Sequence, residues 1–235
     1  MTWRSSVNPY LRAIISSSLF LMAVSATHAT IIGGDVTGGQ ADLQGGVFQK
    51  LTVPLGNPYG PANSVGNDTF QSPNLYGFDE DQNVTIGSTL NYNMTVGGST
   101  NSPNPGSLTA GTVVASHYIF FDPGPSTTIT GYVEFDSDII AVITSTNYLA
   151  ASDVLANTGV NYLNPGARGL EAGQDYITGI TSRRVDLSFY ASTPGDYIRV
   201  LTQYSPGANV PEPATLALMG IGLLGLGLSR RKRSH

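Results

Sequence analysis

The chain has 235 residues, no cysteine, a formal net charge of −5, 28 Gly, 14 Pro and only 11% charged residues. The absence of cysteine excludes disulfides, thiol nucleophiles and Cys-ligated zinc or iron–sulfur centres. Low charge with abundant Gly, Pro, Asn, Ser and Thr points to short strands joined by many turns.

Residues 1–29 read as a secretory signal peptide. Arg4 and Arg12 form a positive start, residues 13–24 are apolar, and Ala26 and Ala29 are small residues suited to the cleavage position. Cleavage after Ala29 is expected, and the absence of paired arginines before the apolar run points to the general Sec route. Setting both termini aside changes the charge. Residues 30–210 hold 15 acidic and 5 basic side chains, a net −10. Such a body repels nucleic acid and anionic lipid, and suits calcium or a cationic polymer better. Its length of about 180 residues fits a single β domain.

Along that body, residues 30–46 are Gly-rich and read as a loose lead-in or an edge strand. Residues 47–53 predict a strand ended by Pro54, and residues 56–73 a loop broken by Pro58, Pro61 and Pro73. Leu90, Tyr92, Met94 and Val96 alternate with polar residues, as in a half-buried strand. Residues 112–121 are nearly continuous β-formers. Ile129, Gly131, Val133 and Phe135 then face one way while their polar neighbours face the other. Residues 139–146 predict a strand buried on both faces, and residues 149–155 a helical turn or two. Val185, Leu187 and Phe189 mark another alternating strand, and residues 197–204 a last one. The expected fold class is all-β: a single antiparallel β-sandwich over residues 30–204, with a jelly roll among the arrangements that fit. Residues 205–209 form a short flexible stalk.

The tail, residues 210–235, has three parts in order. Pro211, Glu212 and Pro213 come first; the prolines lock φ and hold this segment extended, with Glu212 as its only charge. Residues 214–228 carry no charge, and as a helix span roughly 22 Å. That is short of the ~30 Å hydrocarbon core, a gap closed by bilayer thinning and snorkelling of flanking arginines. Arg230, Arg231, Lys232 and Arg233 should hold that end in the cytoplasm and leave the body outside.

This tail resembles the PEP-CTERM sorting signal of Gram-negative bacteria, in which Pro-Glu-Pro precedes a short Gly/Leu-rich transmembrane stretch and an Arg-rich end. The resemblance implies processing by an exosortase, a membrane-embedded cysteine enzyme, with Pro211, Glu212 and Pro213 as the recognised residues. It also implies an inner-membrane-anchored precursor facing the periplasm, then an address in the cell envelope or an exopolysaccharide or biofilm matrix. A looser similarity to the ectodomains of other PEP-CTERM proteins runs from His117-Tyr118-Ile119-Phe120-Phe121-Asp122-Pro123 to Arg168-Gly169-Leu170-Glu171. It implies a fold and no activity.

Catalytic constellations are weak. Ser116 and His117 are adjacent on a predicted strand, so they point to opposite faces and cannot pair locally. Glu80, Glu134 and Glu171 are the body's glutamates and could supply paired carboxylates for glycoside hydrolysis. Asp79 and Asp81, with Asp136 and Asp138, place acids in turns, where hard oxygen ligands could hold calcium, though neither pair has EF-hand spacing. Turn carboxylates also bond their own backbone, which is the commoner reason for them. Tyr residues could line a sugar-binding face, or simply fill a sheet. The expectation is therefore an exported, non-enzymatic matrix component that binds or assembles in an exopolysaccharide layer, with no catalytic residue and no nucleic-acid partner. The alternatives are a secreted polysaccharide hydrolase and a calcium-dependent adhesin.

Overall fold

The computed structural model describes residues 28–204. The leader up to residue 27, the stalk 205–209, Pro211, Glu212 and Pro213, the apolar run 214–228 and the basic cluster 230–233 lie outside the described residues. Among the described residues, no helix is long and apolar enough to cross a membrane.

The described body is mostly β-strand in several sheets. It opens with β1 (Ile31–Gly38), the short helix α1 (Gly39–Leu43), β2 (Phe48–Leu51), β3 (Ser64–Val65) and β4 (Leu75–Asp79). Next come β5 (Val84–Thr85), β6 (Leu90–Tyr92) and β7 (Gly106–Leu108), then the long strands β8 (Val113–Phe121) and β9 (Thr127–Phe135). After β10 (Ile139–Ile143) come α2 (Thr146–Ala151), β11 (Asn161–Tyr162), β12 (Tyr176–Ile180), β13 (Arg184–Ala191) and β14 (Asp196–Gln203). A four-stranded sheet has the order β1-β9-β13-β12. A six-stranded sheet has the order β10-β14-β8-β4-β2, with β5 also paired to β8.

The pairing is not wholly antiparallel, which corrects the sequence-based expectation. β2 runs parallel to β4, and β11 runs parallel to β3. A parallel neighbour needs a connection long enough to return the chain to the same end of the sheet, and residues 52–74 provide it. Of the Gly-rich lead-in 30–46, Ile31–Gly38 is an edge strand, one of its two readings, while Gly39–Leu43 is a short helix. The 90–96 strand is shorter than its alternation suggests: β6 ends at Tyr92, and Met94 makes only an isolated bridge to Val142. There the Asn93 side chain takes over, its Oδ1 accepting the Thr144 and Ser145 N–H groups.

Two core clusters explain the strand patterns. The first draws Ile31 and Val36 from β1, Ile129, Val133 and Phe135 from β9, and Leu187 and Phe189 from β13, together with Ile119, Phe121, Ile198 and Val200 of the other sheet. The second covers the opposite side of β8 and β14, with Val114, Tyr118, Phe120, Tyr197, Leu201 and Leu149. β8 thus feeds alternate residues to two cores, which is why its sequence reads as unbroken β-formers. β9 has one face exposed and therefore alternates cleanly.

Candidate functional site

Three networks of polar side chains lie in or beside these cores. In the first, His117 on β8 is fully buried. Its Nδ1 sits 2.7 Å from Asp79 Oδ1 and its Nε2 3.0 Å from Thr202 Oγ1. Asp79 also accepts from Thr30 Oγ1 (2.6 Å) and the Ile31 N–H (3.0 Å), and pairs with Lys50 at 2.7 Å. Burial alone would raise the Asp79 carboxyl, but the His117 ring, Lys50 and Thr30 outweigh it and hold the group well below the usual carboxylate range. The order Thr202–His117–Asp79 has the hydrogen-bond logic of a nucleophile, base and orienting acid. Thr202 and His117 are both 0% exposed, so a substrate has no path to either. The network's evident effect is to tie the start of β1 to β4, β8 and β14. Ser116, the other half of the sequence-level pair, faces away and bonds Glu80 at 2.6 Å.

The second network centres on Arg199 of β14, which is also 0% exposed. Its Nε and Nη2 reach Glu80 Oε2 and Oε1 at 2.6 and 2.9 Å. Its Nη1 donates to Ser152 Oγ (2.5 Å) and Leu149 O (3.1 Å). Tyr162 Oη and Ser116 Oγ complete the shell of Glu80. A charge pair taken out of water needs this full set of partners. Glu80 is therefore committed to structure.

The third network is acidic and uncompensated. Glu171, Asp175 and Asp196 each present a carboxylate oxygen, and these atoms all lie within 4.8 Å of one another. Asp175 stands just before β12 and Asp196 opens β14, so the cluster joins the ends of strands from both sheets. Glu171 is exposed, whereas Asp175 and Asp196 are 1% and 2% exposed. Asp175 is held in place by N–H groups of Tyr190 (2.8 Å) and Glu171 (2.7 Å). The buried Oδ2 of Asp196 has no hydrogen-bond partner. Burial and the neighbouring carboxyls push Asp175 up to about 6 and Asp196 up to about 9. A hollow of about 140 Å³ opens beside Asp196, lined also by Glu171, Gln174 and Tyr190. A second, of about 290 Å³, is lined by Glu171 and Asp175 together with Asn93 and Thr144.

None of the sequence-level calcium candidates joins a group of this kind. Asp79 is taken by Lys50 and His117. Asp136 Oδ1 accepts the Thr30 N–H (2.8 Å), and Asp138 pairs with Arg183 at 2.9 Å. Burial, then the charge of Glu80, raises the Asp81 carboxyl. Among the described residues, the group able to gather three such ligands is Glu171, Asp175 and Asp196. Glu134 does not come near Glu171. Tyr190, bonded to Asp175, pairs with Thr128, and Glu134 lies six positions further along β9. At ~3.3 Å per residue that is a separation of about 20 Å, against the ~5–9.5 Å that glycoside hydrolysis requires. The tyrosines expected to offer a sugar-binding face divide: Tyr76, Tyr118 and Tyr197 are core residues, while Tyr59 and Tyr190 are exposed. Ala29, the expected cleavage residue, is fully buried ahead of β1.

Outside this body, a family profile described as the PEP-CTERM protein-sorting motif matches residues 209–232. The chain carries a PEP-CTERM sorting signal. The match takes in Pro211, Glu212 and Pro213, the apolar run and three of the four terminal cations. A PEP-CTERM signal marks an exported protein sorted by an exosortase, with a membrane-anchoring tail. The motif does not extend into residues 28–204. No curated protein and no solved structure matched the chain.

Proposed function

We propose that the described domain is the exported, functional body of an exosortase substrate, and that it serves as a non-enzymatic structural or binding component of an exopolysaccharide or biofilm layer. The observation that carries this reading is the PEP-CTERM match at residues 209–232. The precursor leaves by Sec, is held in the inner membrane by residues 214–228 with Arg230, Arg231, Lys232 and Arg233 on the cytoplasmic side, and is processed at or near Pro211, Glu212 and Pro213. Its body is a β-sandwich, a reading supported by the core cluster to which both larger sheets contribute. A binding role is favoured over hydrolysis because Glu80 is buried against Arg199 and Glu134 stands far from Glu171.

The test is intact mass and C-terminal peptide mapping of the protein from its native host, with and without a functional exosortase. Loss of residues 214–235 only when the enzyme is present is the expected result. Retention of Arg230, Arg231, Lys232 and Arg233 in both backgrounds would reduce the tail to a plain anchor and remove the support for a matrix role. In parallel, the released body should bind insoluble host glycan without turnover. Saturable turnover abolished by Glu134→Gln or Glu171→Gln would establish the hydrolase instead.

A further inference from the structure

We propose that Glu171, Asp175 and Asp196 form a binding site for a hard divalent cation, calcium in the exterior medium, which ties the opening of β14 to the lead-in of β12.

The charge inventory points there first. Residues 30–204 contain five Lys or Arg side chains, and each is paired with an acid: Lys50 with Asp79, Arg168 with Asp153, Arg183 with Asp138, Arg184 with Asp186 and Arg199 with Glu80. The cations of the described residues are thus spent elsewhere. Three carboxyls nevertheless converge, two of them buried, where mutual repulsion and desolvation oppose ionisation.

The unpartnered oxygen is the second, independent observation. Asp196 is 2% exposed, and its Oδ2 has neither water access nor a hydrogen-bond donor. Asp196 meets the carboxyls of Glu171 and Asp175, and carboxyl bonds carboxyl only through a proton held between them, since carboxylates can only accept. An acceptor buried among acceptors is satisfied by a proton or by a metal ion. Asp175, in contrast, is locked by two backbone N–H groups, so its position is built before any ligand arrives.

The dimensions and donor chemistry select the ion. Oxygens on opposite sides of calcium, each at ~2.3–2.6 Å, are about 5 Å apart, which matches ligand atoms confined within 4.8 Å. All three donors are carboxylate oxygens, a set that favours calcium over zinc or copper. Exposed Glu171 and Gln174 border the adjoining hollow, which leaves room for the water ligands that complete six to eight oxygens. Magnesium demands a stricter octahedron and gives up its water reluctantly, which suits two preset buried carboxylates less well. This inference stands apart from the sorting reading, because it concerns only residues of the folded body.

The experiment uses the full chain purified in detergent and stripped with a chelator, then titrated with calcium chloride or magnesium chloride. Calorimetry should show one saturable calcium site. The melting temperature should rise by about 5–10 °C at calcium a hundredfold above Kd. Asp196→Asn should abolish both signals. Glu171→Gln, at an exposed position, should weaken calcium at least about tenfold through the lost ligand charge. The proposal is overturned by the absence of heat and of any thermal shift at millimolar calcium, which would leave a shared proton as the occupant. Undiminished binding in Glu171→Gln, or a magnesium shift equal to that of calcium, would equally refute it.

Discussion

Arg199 shows how far a single residue can depart from what its type suggests. Its guanidinium has no solvent contact, yet each arm has an acceptor: Glu80 on one side, Ser152, Leu149 and Asp153 on the other. Nothing in the alternation of residues 197–204 marks Arg199 as inward, because a long polar side chain in a strand usually reaches solvent. Only the arrival of Glu80 from the end of β4, with Ser152 from beyond α2, makes the burial tolerable. Replacement by Met should strand the Glu80 carboxylate and cost about 3–5 kcal/mol. The double variant Glu80→Gln with Arg199→Met should recover much of that loss, since the uncompensated charge is then gone. Urea unfolding of the two variants measures this; a double variant no better than the single one would show that packing rather than charge sets the cost.

At the scale of elements, β8 and β9 were legible because contiguous residues carry the burial pattern. β9 alternates between core and surface, and β8 is a run of β-formers because both its faces are covered. β4 was not legible for the opposite reason. It is five residues long and mostly buried, so its Leu75-Tyr76-Gly77-Phe78-Asp79 carries no period to detect. Gly77 lies where the Ile31 side chain crosses, and a Cβ there would meet Ile31 Cδ1 at 2.9 Å. Gly131 of β9 has a firmer constraint. A Cβ at that position would stand 2.4 Å from the backbone oxygen of Asp35, in the edge strand paired to it. Gly131→Ala should therefore push β1 outward and cost about 1–3 kcal/mol. Hydrogen exchange should show lost protection in β1 while β8 and β14 keep theirs. Unchanged protection in β1 would mean the strand has slack that this contact does not suggest.

For the whole molecule, the tail and the body are separable in sequence. β14 lies between β10 and β8 in the larger sheet, and it ends at Gln203. Residues 204–210 then intervene before Pro211. Processing at the motif thus leaves every strand of the described residues intact, and the processed body should melt within about 2 °C of the full chain, since changes away from packed features are usually small. Truncation before Tyr197 should instead abolish cooperative unfolding, because it removes β14 from the middle of its sheet. Thermal melts of the two truncated proteins against the full chain decide this; a marked loss on cutting at the motif would mean that the tail packs on the body.

Export through a sorting tail and a β-rich body are both written in contiguous stretches of the chain. Pro211-Glu212-Pro213, an uncharged run and a basic end are adjacent in the chain, and short strands with frequent turns declare a β-rich body through local periodicity. Which acids meet depends on the folded chain. The turn acids Asp79, Asp81, Asp136 and Asp138 looked like ligands because they are neighbours in sequence, but Asp79 and Asp138 are held by cations, and Asp136 accepts from Thr30. Glu171, Asp175 and Asp196 carry no local signature. They converge because β13 pairs with β12 in one sheet while the chain crosses to open β14 in the other. Periodicity is a property of neighbouring residues, whereas a site assembled at the ends of two sheets depends on pairings that no local segment specifies.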